Sequence, residues 1–170
     1  MRISCLTLVF ILLLSGCATE SMRERASSLR KNKDYENAIA AYQKHIQARL
    51  AVSDKPEWEN PYIYYLDIGD IYLEQSKLKQ ALEYYELAEK QGVKPGYVND
   101  RYRFVARWLE DRGQLAEAIA HLEKYREKDP MLFDLVLDRL ARKLVAEPSQ
   151  ARPAGNPELT PSPMPTIQED

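Results

Sequence analysis

The chain has 170 residues, with 24 Lys and Arg against 26 Asp and Glu, a formal net charge of −2 and two cysteines. This length fits one domain with a tail better than two domains, and the mild acidity argues against a nucleic-acid partner, which requires clustered cationic side chains. The cysteines are Cys5 and Cys17, so the chain beyond residue 17 has no thiol for a disulfide, a nucleophile or a zinc ligand.

The first element is an apolar stretch at the N-terminus. Arg2 precedes an almost unbroken apolar run over residues 3–14, which small residues and Cys17 close. A bilayer-spanning helix needs about 20 apolar residues, so this run is too short to be a permanent anchor. The pattern is typical of a cleaved export signal over residues 1–16. An ordinary secretory signal with a coincidental cysteine is the alternative.

The segment Leu14-Ser15-Gly16-Cys17 resembles the lipobox of bacterial lipoproteins, which has the form Leu-small-Gly-Cys. The resemblance implies cleavage before Cys17 and acylation of that cysteine; beyond this covalent lipid, no cofactor or metal is predicted. Two or more acyl chains give stable attachment, at roughly 0.8 kcal/mol per buried methylene. Ala18 follows the cysteine, where Asp would signal retention in the inner membrane. The lipoprotein rule therefore implies an outer-membrane protein that faces the periplasm.

The next elements are repeated helices. From residue 20 to about residue 145 the sequence is rich in helix-forming residues and poor in glycine. Residues 35–42, 78–85 and 115–122 share one pattern, in which a small Ala is followed by an aliphatic residue and, four positions after the Ala, by a bulky one. Each copy follows a short polar break. The sequence therefore predicts a helix-turn-helix unit that occurs three times in an all-α domain over residues 17–145.

These repeats resemble the tetratricopeptide repeat family, whose 34-residue unit has recurring small, bulky and proline positions. The second copy matches at Tyr65, Ile68, Gly69, Tyr72, Ala81, Tyr85 and Ala88. The third matches at Tyr102, Val105, Ala106, Leu109, Ala118, Leu122, Tyr125 and Pro130. The first is weaker, with Leu29, Ala38 and Tyr42 in place, Ala26 where Gly is commonest and His45 where a small residue is usual. The resemblance implies an α-solenoid of about three repeats; an unrelated helical bundle is the alternative.

Two connections between the repeats are longer than the family pattern. Residues 51–61 contain two prolines and Trp58 and are predicted to form a loop after a helix that overruns by one turn. An exposed Trp58 would suit partner binding, but packing against its own domain is the favoured interpretation. Residues 92–96 are predicted to form a turn, after which Asn99 or Asp100 caps the next helix.

The last elements are a seventh helix and a tail. Residues 131–145 mix apolar and charged positions with helical period, which predicts a helix that covers the open flank of the stack. Docking of this helix on a membrane or partner is less favoured, because Asp134 and Asp138 dilute any cationic face. Residues 146–170 contain six of the ten prolines and no aromatic residue, and a disordered tail is predicted in preference to a polyproline ligand.

No catalytic constellation is recognisable in the sequence. His45 and His121 are the only histidines, and neither has a companion at metal-ligand spacing. A Gly-rich phosphate loop, a nucleophile elbow and a paired-histidine zinc motif are also missing. The sequence predicts a protein that is not an enzyme.

The resemblance also implies a concave groove lined by the first helix of each pair. The inward positions are Arg23, Arg30, Ile63, Leu66, Asp70, Leu73, Arg103 and Arg107. Because Arg103 and Arg107 lie one turn apart within a group of arginines around Trp108 that includes Arg101 and Arg112, they are predicted to clamp a carboxylate of an acidic segment or a chain terminus. The rival interpretation is that Asp100, Glu110 and Asp111 neutralise these arginines as surface ion pairs.

The function predicted from these elements is that of a membrane-anchored periplasmic adaptor or assembly factor for other proteins. Two alternatives remain open: a non-catalytic accessory subunit of an enzyme that acts on peptidoglycan or polysaccharide, and a structural tether that joins two layers through the acyl chains and the tail. Self-association through an open flank of the stack is a further possibility, so the oligomeric state is left open.

Overall fold

In the computed structural model, which describes residues 22–146, the chain forms seven α-helices that follow one another through short turns. They are α1 (residues 22–31), α2 (Tyr35–Leu50), α3 (Tyr64–Glu74), α4 (Leu78–Lys90), α5 (Pro95–Glu110), α6 (Leu115–Tyr125) and α7 (Pro130–Ala146). Single 3₁₀ turns at Pro61–Ile63 and Arg126–Lys128 precede α3 and α7, and the described range contains no strand. The predicted all-α solenoid of three helix pairs and a closing helix is confirmed. The predicted signal, Cys17 and the tail beyond Ala146 lie outside the described residues.

The turn inside each helix pair has the same backbone conformation. Lys33, Ser76 and Gly113 have positive φ angles of 60°, 60° and 74°, respectively. Each donates its N–H to the carbonyl three residues before it, and the next residue donates to the carbonyl five residues before. This hydrogen-bond pattern ends helices through a left-handed residue, which costs Lys33 and Ser76 roughly 1 kcal/mol each relative to Gly. The three pairs are therefore repeats at the level of individual hydrogen bonds.

Small residues let the helices of each pair approach closely, as the repeat pattern predicts. A Cβ atom added to Gly69 would lie 2.4 Å from Cε1 of Tyr85 and 3.1 Å from the carbonyl oxygen of Ala81. Ala81 and Tyr85 are themselves 0% exposed. Close packing of α3 on α4 therefore depends on the missing side chain at Gly69.

The loop between the first two repeats is held by its polar residues. Helix α2 has 16 residues, against 13 in α4 and 11 in α6, which confirms the predicted overrun. Arg49 Nε and Nη2 donate to the two carboxylate oxygens of Glu59 at 2.6 and 2.5 Å. Asn60 accepts from the N–H of Tyr62 at 3.0 Å and donates to the carbonyl of Gln91 at 2.9 Å. Trp58 is 77% exposed, so the prediction that it packs against its own domain is wrong.

The connection between the second and third repeats is shorter than predicted. Gly92, with a φ of +74°, follows the end of α4, and α5 begins at once with Pro95 in its first turn. Asn99 and Asp100 therefore lie inside α5, and the prediction that one of them caps it is wrong. The fixed φ of proline suits the first position of a helix, and α5 therefore starts five or six residues earlier than predicted, with Lys94 as its N-cap.

Helix α7 covers the end of the stack, as predicted. Phe133 and Leu140 are 0% exposed and belong to the core of the second and third repeats. Arg139 donates to both carboxylate oxygens of Glu110 at 2.6 and 2.7 Å, and Lys143 lies 3.4 Å from the same carboxylate. Helix α7 is thus fixed to α5 as well as to α6. Over the described range, no helix combines the length and apolar character that crossing a bilayer requires.

Candidate functional site

The face formed by the first helices of the pairs, α1, α3 and α5, contains the predicted groove residues. Leu66 and Leu73 are 2% and 1% exposed, respectively, so the prediction that they line an open groove is wrong. Both belong to the same core cluster as Val98 and Tyr102, because α5 packs directly against α3. Ile63 is half-buried at the start of the second repeat, and Arg23 is exposed on α1.

Asp70 is the centre of an ion network that joins all three repeats. Its Oδ1 accepts a hydrogen bond from the Tyr85 hydroxyl at 2.8 Å and lies 2.9 Å from Arg101 Nε. Arg30 Nη2 is 3.9 Å from the other oxygen of Asp70, while Arg30 Nε and Nη2 donate to Glu74 at 2.9 and 2.6 Å. Arg30 Nη1 is also 3.5 Å from Asp67. We call this set the Asp70 network: Arg30, Asp67, Asp70, Glu74, Tyr85 and Arg101.

Burial dominates the electrostatics of this network. Asp70 is 8% exposed, and desolvation raises the pKa of its carboxyl despite the opposing effects of Arg101 and the Tyr85 hydroxyl. Desolvation also raises the pKa of Asp67, and the neighbouring charge of Asp70 adds to that effect. Arg30 faces three carboxylates. The positive charge of Arg30 is therefore neutralised within the protein.

Beyond Asp70, α5 presents a shallow depression that contains the two predicted clamp residues. We call it the arginine depression, and its volume is about 510 Å³. Its lining residues are Asp70, Asp100, Arg101, Arg103, Phe104 and Arg107. Arg103 forms an ion pair with Asp100, and Phe104 is 48% exposed. With three guanidinium groups against two carboxylates and an exposed ring beside them, the depression suits an anionic group attached to an apolar one.

The predicted group of arginines around Trp108 is divided in the structure. Arg112 stacks on the Trp108 ring, with its guanidinium carbon 3.6 Å from the ring centre, and does not line the arginine depression. Glu110 binds Arg139 and Lys143 of α7. It is therefore engaged away from Arg103 and Arg107, and of the three carboxylates predicted to neutralise them, Asp100 is the one paired with Arg103. Carboxylate binding by Arg103 and Arg107 stays a prediction.

Sequence reasoning missed the exposed aromatic residues of α5. Tyr97 is 50% exposed and Phe104 is 48% exposed, and each lines an open cleft or depression. The position of Tyr97 depends on where α5 begins. Placing the helix start at Pro95 would have put Tyr97 in the first turn of α5.

The two histidines are core residues on the second helices of their repeats. His121 is 9% exposed, and its Nε2 lies 2.9 Å from the carbonyl oxygen of Tyr102. Burial lowers the pKa of His121 to about 4, and the charge of Lys124 adds to the effect. His45 is 4% exposed and packs edge-on against Tyr64. Within residues 22–146, no cluster of His, Cys, Asp or Glu side chains is arranged to hold a metal ion.

The buried His121 predicts a pH-dependent stability. Its pKa is about 4 in the folded state and about 6.5 in the unfolded state, so the unfolded chain binds the extra proton between these values. Stability therefore falls as the pH is lowered through this window, by about 2 kcal/mol between pH 7.5 and pH 5. Urea unfolding at the two pH values measures the loss. In His121→Gln the loss of stability between the two pH values should be smaller by about 2 kcal/mol, since both proteins carry the same carboxylates. An equal loss in both proteins would contradict a lowered pKa of His121.

The comparisons with known proteins agree with this architecture. Residues 18–90 match the family described as "Tetratricopeptide repeat", a range that includes helices α1 to α4. The pair α5 and α6 lies beyond the match but has the same turn conformation and the same buried small residues, Ala106 and Ala118. No curated protein matches the chain. The described domain is an all-α solenoid of tetratricopeptide type, and such repeats generally bind other proteins.

Proposed function

We propose that the chain is a lipid-anchored adaptor of the bacterial envelope, which binds another protein through the face formed by α1, α3 and α5. The observation that carries this proposal is the stack of tetratricopeptide-type repeats over residues 22–146, whose first helices leave the arginine depression open. Binding a partner through this open face requires no catalytic side chains, so the proposed role is non-catalytic.

The anchor in this proposal rests on the sequence Leu14-Ser15-Gly16-Cys17 and on the apolar run before it. Acylation of Cys17 would leave the helical domain a few residues from the membrane, because α1 is already formed at residue 22. Ala18, at the position where Asp would retain a lipoprotein in the inner membrane, supports an outer-membrane location facing the periplasm.

Replacing Cys17 with Ser is expected to remove the anchor. Cells fed a fatty-acid probe should label the unchanged chain and leave Cys17→Ser unlabelled. Equal labelling of the two proteins would refute the lipid anchor. Neither result bears on binding by the helical domain, so the two parts of the proposal are tested separately.

The partner site is tested at the arginine depression. The double variant Arg103→Ala/Arg107→Ala is expected to lose most of the partner that the unchanged chain captures from detergent-solubilised membranes, because each charged hydrogen-bond donor contributes about 1.5–3 kcal/mol. Quantitative mass spectrometry of the captured proteins measures the loss. Arg112→Ala is the matched control, since Arg112 stacks on Trp108 outside the depression.

Undiminished capture by the double variant would remove the arginine depression from the proposal.

Deleting residues 146–170 distinguishes the adaptor from a tether between two layers. The adaptor keeps its partner without this segment, whereas a tether loses its function.

A further inference from the structure

A second concave surface lies between the first and second repeats, away from the arginine depression. We call it the Trp58 cleft; its volume is about 1010 Å³. The end of α2, the loop before α3 and the turn between α4 and α5 all contribute to its lining. The loop includes residues that exceed the 34-residue repeat unit. The wall of the cleft that this loop forms is therefore a feature of this chain's own insertion.

The last two residues of the loop that builds this cleft are each held by a contact outside the loop. The ion pair between Arg49 and Glu59 joins it to α2, and the hydrogen bond from Asn60 to the Gln91 carbonyl joins it to the turn after α4. Trp58, which precedes Glu59, is nevertheless 77% exposed. A large apolar side chain held in water by an ordered backbone loses little further entropy on binding, which is the property of an interface anchor.

The lining of the cleft combines apolar and cationic groups. Trp58 and the half-exposed Tyr97 line it together with Ile63 and Val93, and Val93 is 4% exposed. The charged lining residues are Arg23, Arg49, Lys55, Lys94, Glu57 and Glu59. Arg49 and Glu59 neutralise each other through their paired hydrogen bonds, and Lys55 and Lys94 outnumber the remaining carboxylate, Glu57. The surface thus offers apolar contact next to a surplus of positive charge.

We propose that the Trp58 cleft binds a polypeptide segment of the partner in which a bulky apolar side chain is flanked by Asp or Glu. The apolar side chain lies against Trp58 and Tyr97, and the acidic residues face Lys55 and Lys94, which gives charge complementarity at the rim. This inference rests on the proposed adaptor function and adds a recognition site to it. A protein segment fits better than a bilayer, because the surface is recessed.

The experiment selects ligands without assuming a partner. Phage-displayed random 12-residue peptides are selected on the detergent-purified full chain, and the selected peptides are synthesised with a fluorophore for anisotropy titrations. The expected peptides share a Phe, Trp or Leu flanked by Asp or Glu. Trp58→Ala should weaken their binding at least tenfold and Lys94→Glu several-fold, whereas Arg103→Ala should leave it unchanged. Since Trp58 and Lys94 are exposed, these variants are expected to retain the wild-type helical circular dichroism.

Three results would overturn the proposal. The first is that the selected peptides lack this pattern. The second is that Trp58→Ala leaves peptide binding intact. The third is that the Cys17→Ser chain binds phosphatidylglycerol vesicles and that Trp58→Ala abolishes this binding. The last assigns the surface to a bilayer. In the capture experiment, partner loss in Arg103→Ala/Arg107→Ala but not in Trp58→Ala removes the cleft and leaves the adaptor function standing. Retention of all captured proteins by both variants contradicts the two together.

Discussion

Phe133→Ala is expected to lower the free energy of unfolding by about 3–5 kcal/mol. Phe133 lies in the first turn of α7 and is 0% exposed within the core of the second and third repeats. Removing its ring leaves a cavity that α7 cannot fill, because Leu140 and the ion pairs of Glu110 fix the rest of the helix in place.

Urea unfolding followed by circular dichroism at 222 nm measures this change. Leu135→Ala is the matched control, since Leu135 lies on the same helix and is 64% exposed. The control should change stability by less than about 0.5 kcal/mol, as surface substitutions usually do. If Phe133→Ala and Leu135→Ala have equal effects, α7 does not cover the core in the way described.

Gly69→Ala is expected to cost about 3 kcal/mol, at the upper end of the range for overpacking. The new methyl group would lie 2.4 and 2.7 Å from two carbon atoms of the Tyr85 ring. The ring has little freedom to move, because it is 0% exposed and its hydroxyl is hydrogen-bonded to Asp70. The helices α3 and α4 must therefore separate.

Gly96→Ala is the matched control for this substitution. Gly96 lies in the first turn of α5, and a Cβ atom there would have no neighbour within 4 Å. The control should be stabilised by about 0.5–1 kcal/mol, since Ala replaces Gly in a helix without a clash. Thermal or urea unfolding should show that the two variants change the free energy of unfolding in opposite directions. If Gly69→Ala is stabilising instead, α3 and α4 do not approach each other as closely as the structure indicates.

The helix pairs were predictable because their signals are local or recur at a fixed spacing. Gly69 and Ala81 were recognisable from their places in the repeat, and both are buried where α3 meets α4. The start of α5 was predictable too, because Pro95 is a local signal for a first helical turn. Asn99 and Asp100 are also residue types that favour helix caps, but they lie too far along the chain to cap α5, which already begins at Pro95.

The candidate site was less predictable, because contacts distant in sequence determine it. The repeat-family pattern of inward-facing positions predicts that both Asp70 and Leu66 line the groove. Both are buried because α5 packs on α3. Trp58 is exposed because the loop around it is held by Asn60, whose partner Gln91 lies 31 residues away. No short stretch of sequence contains that information.

The Asp70 network has a consequence for how the domain opens. Stacked repeats with contacts only between neighbours fray from their ends, one unit at a time. Here the buried carboxylate of Asp70 interacts with groups from α1, α4 and α5. Moving any one of these helices away therefore removes a partner from a buried charge, which is costly. The three repeats should therefore lose their structure cooperatively, and a partner that binds at one end would slow amide exchange at the other.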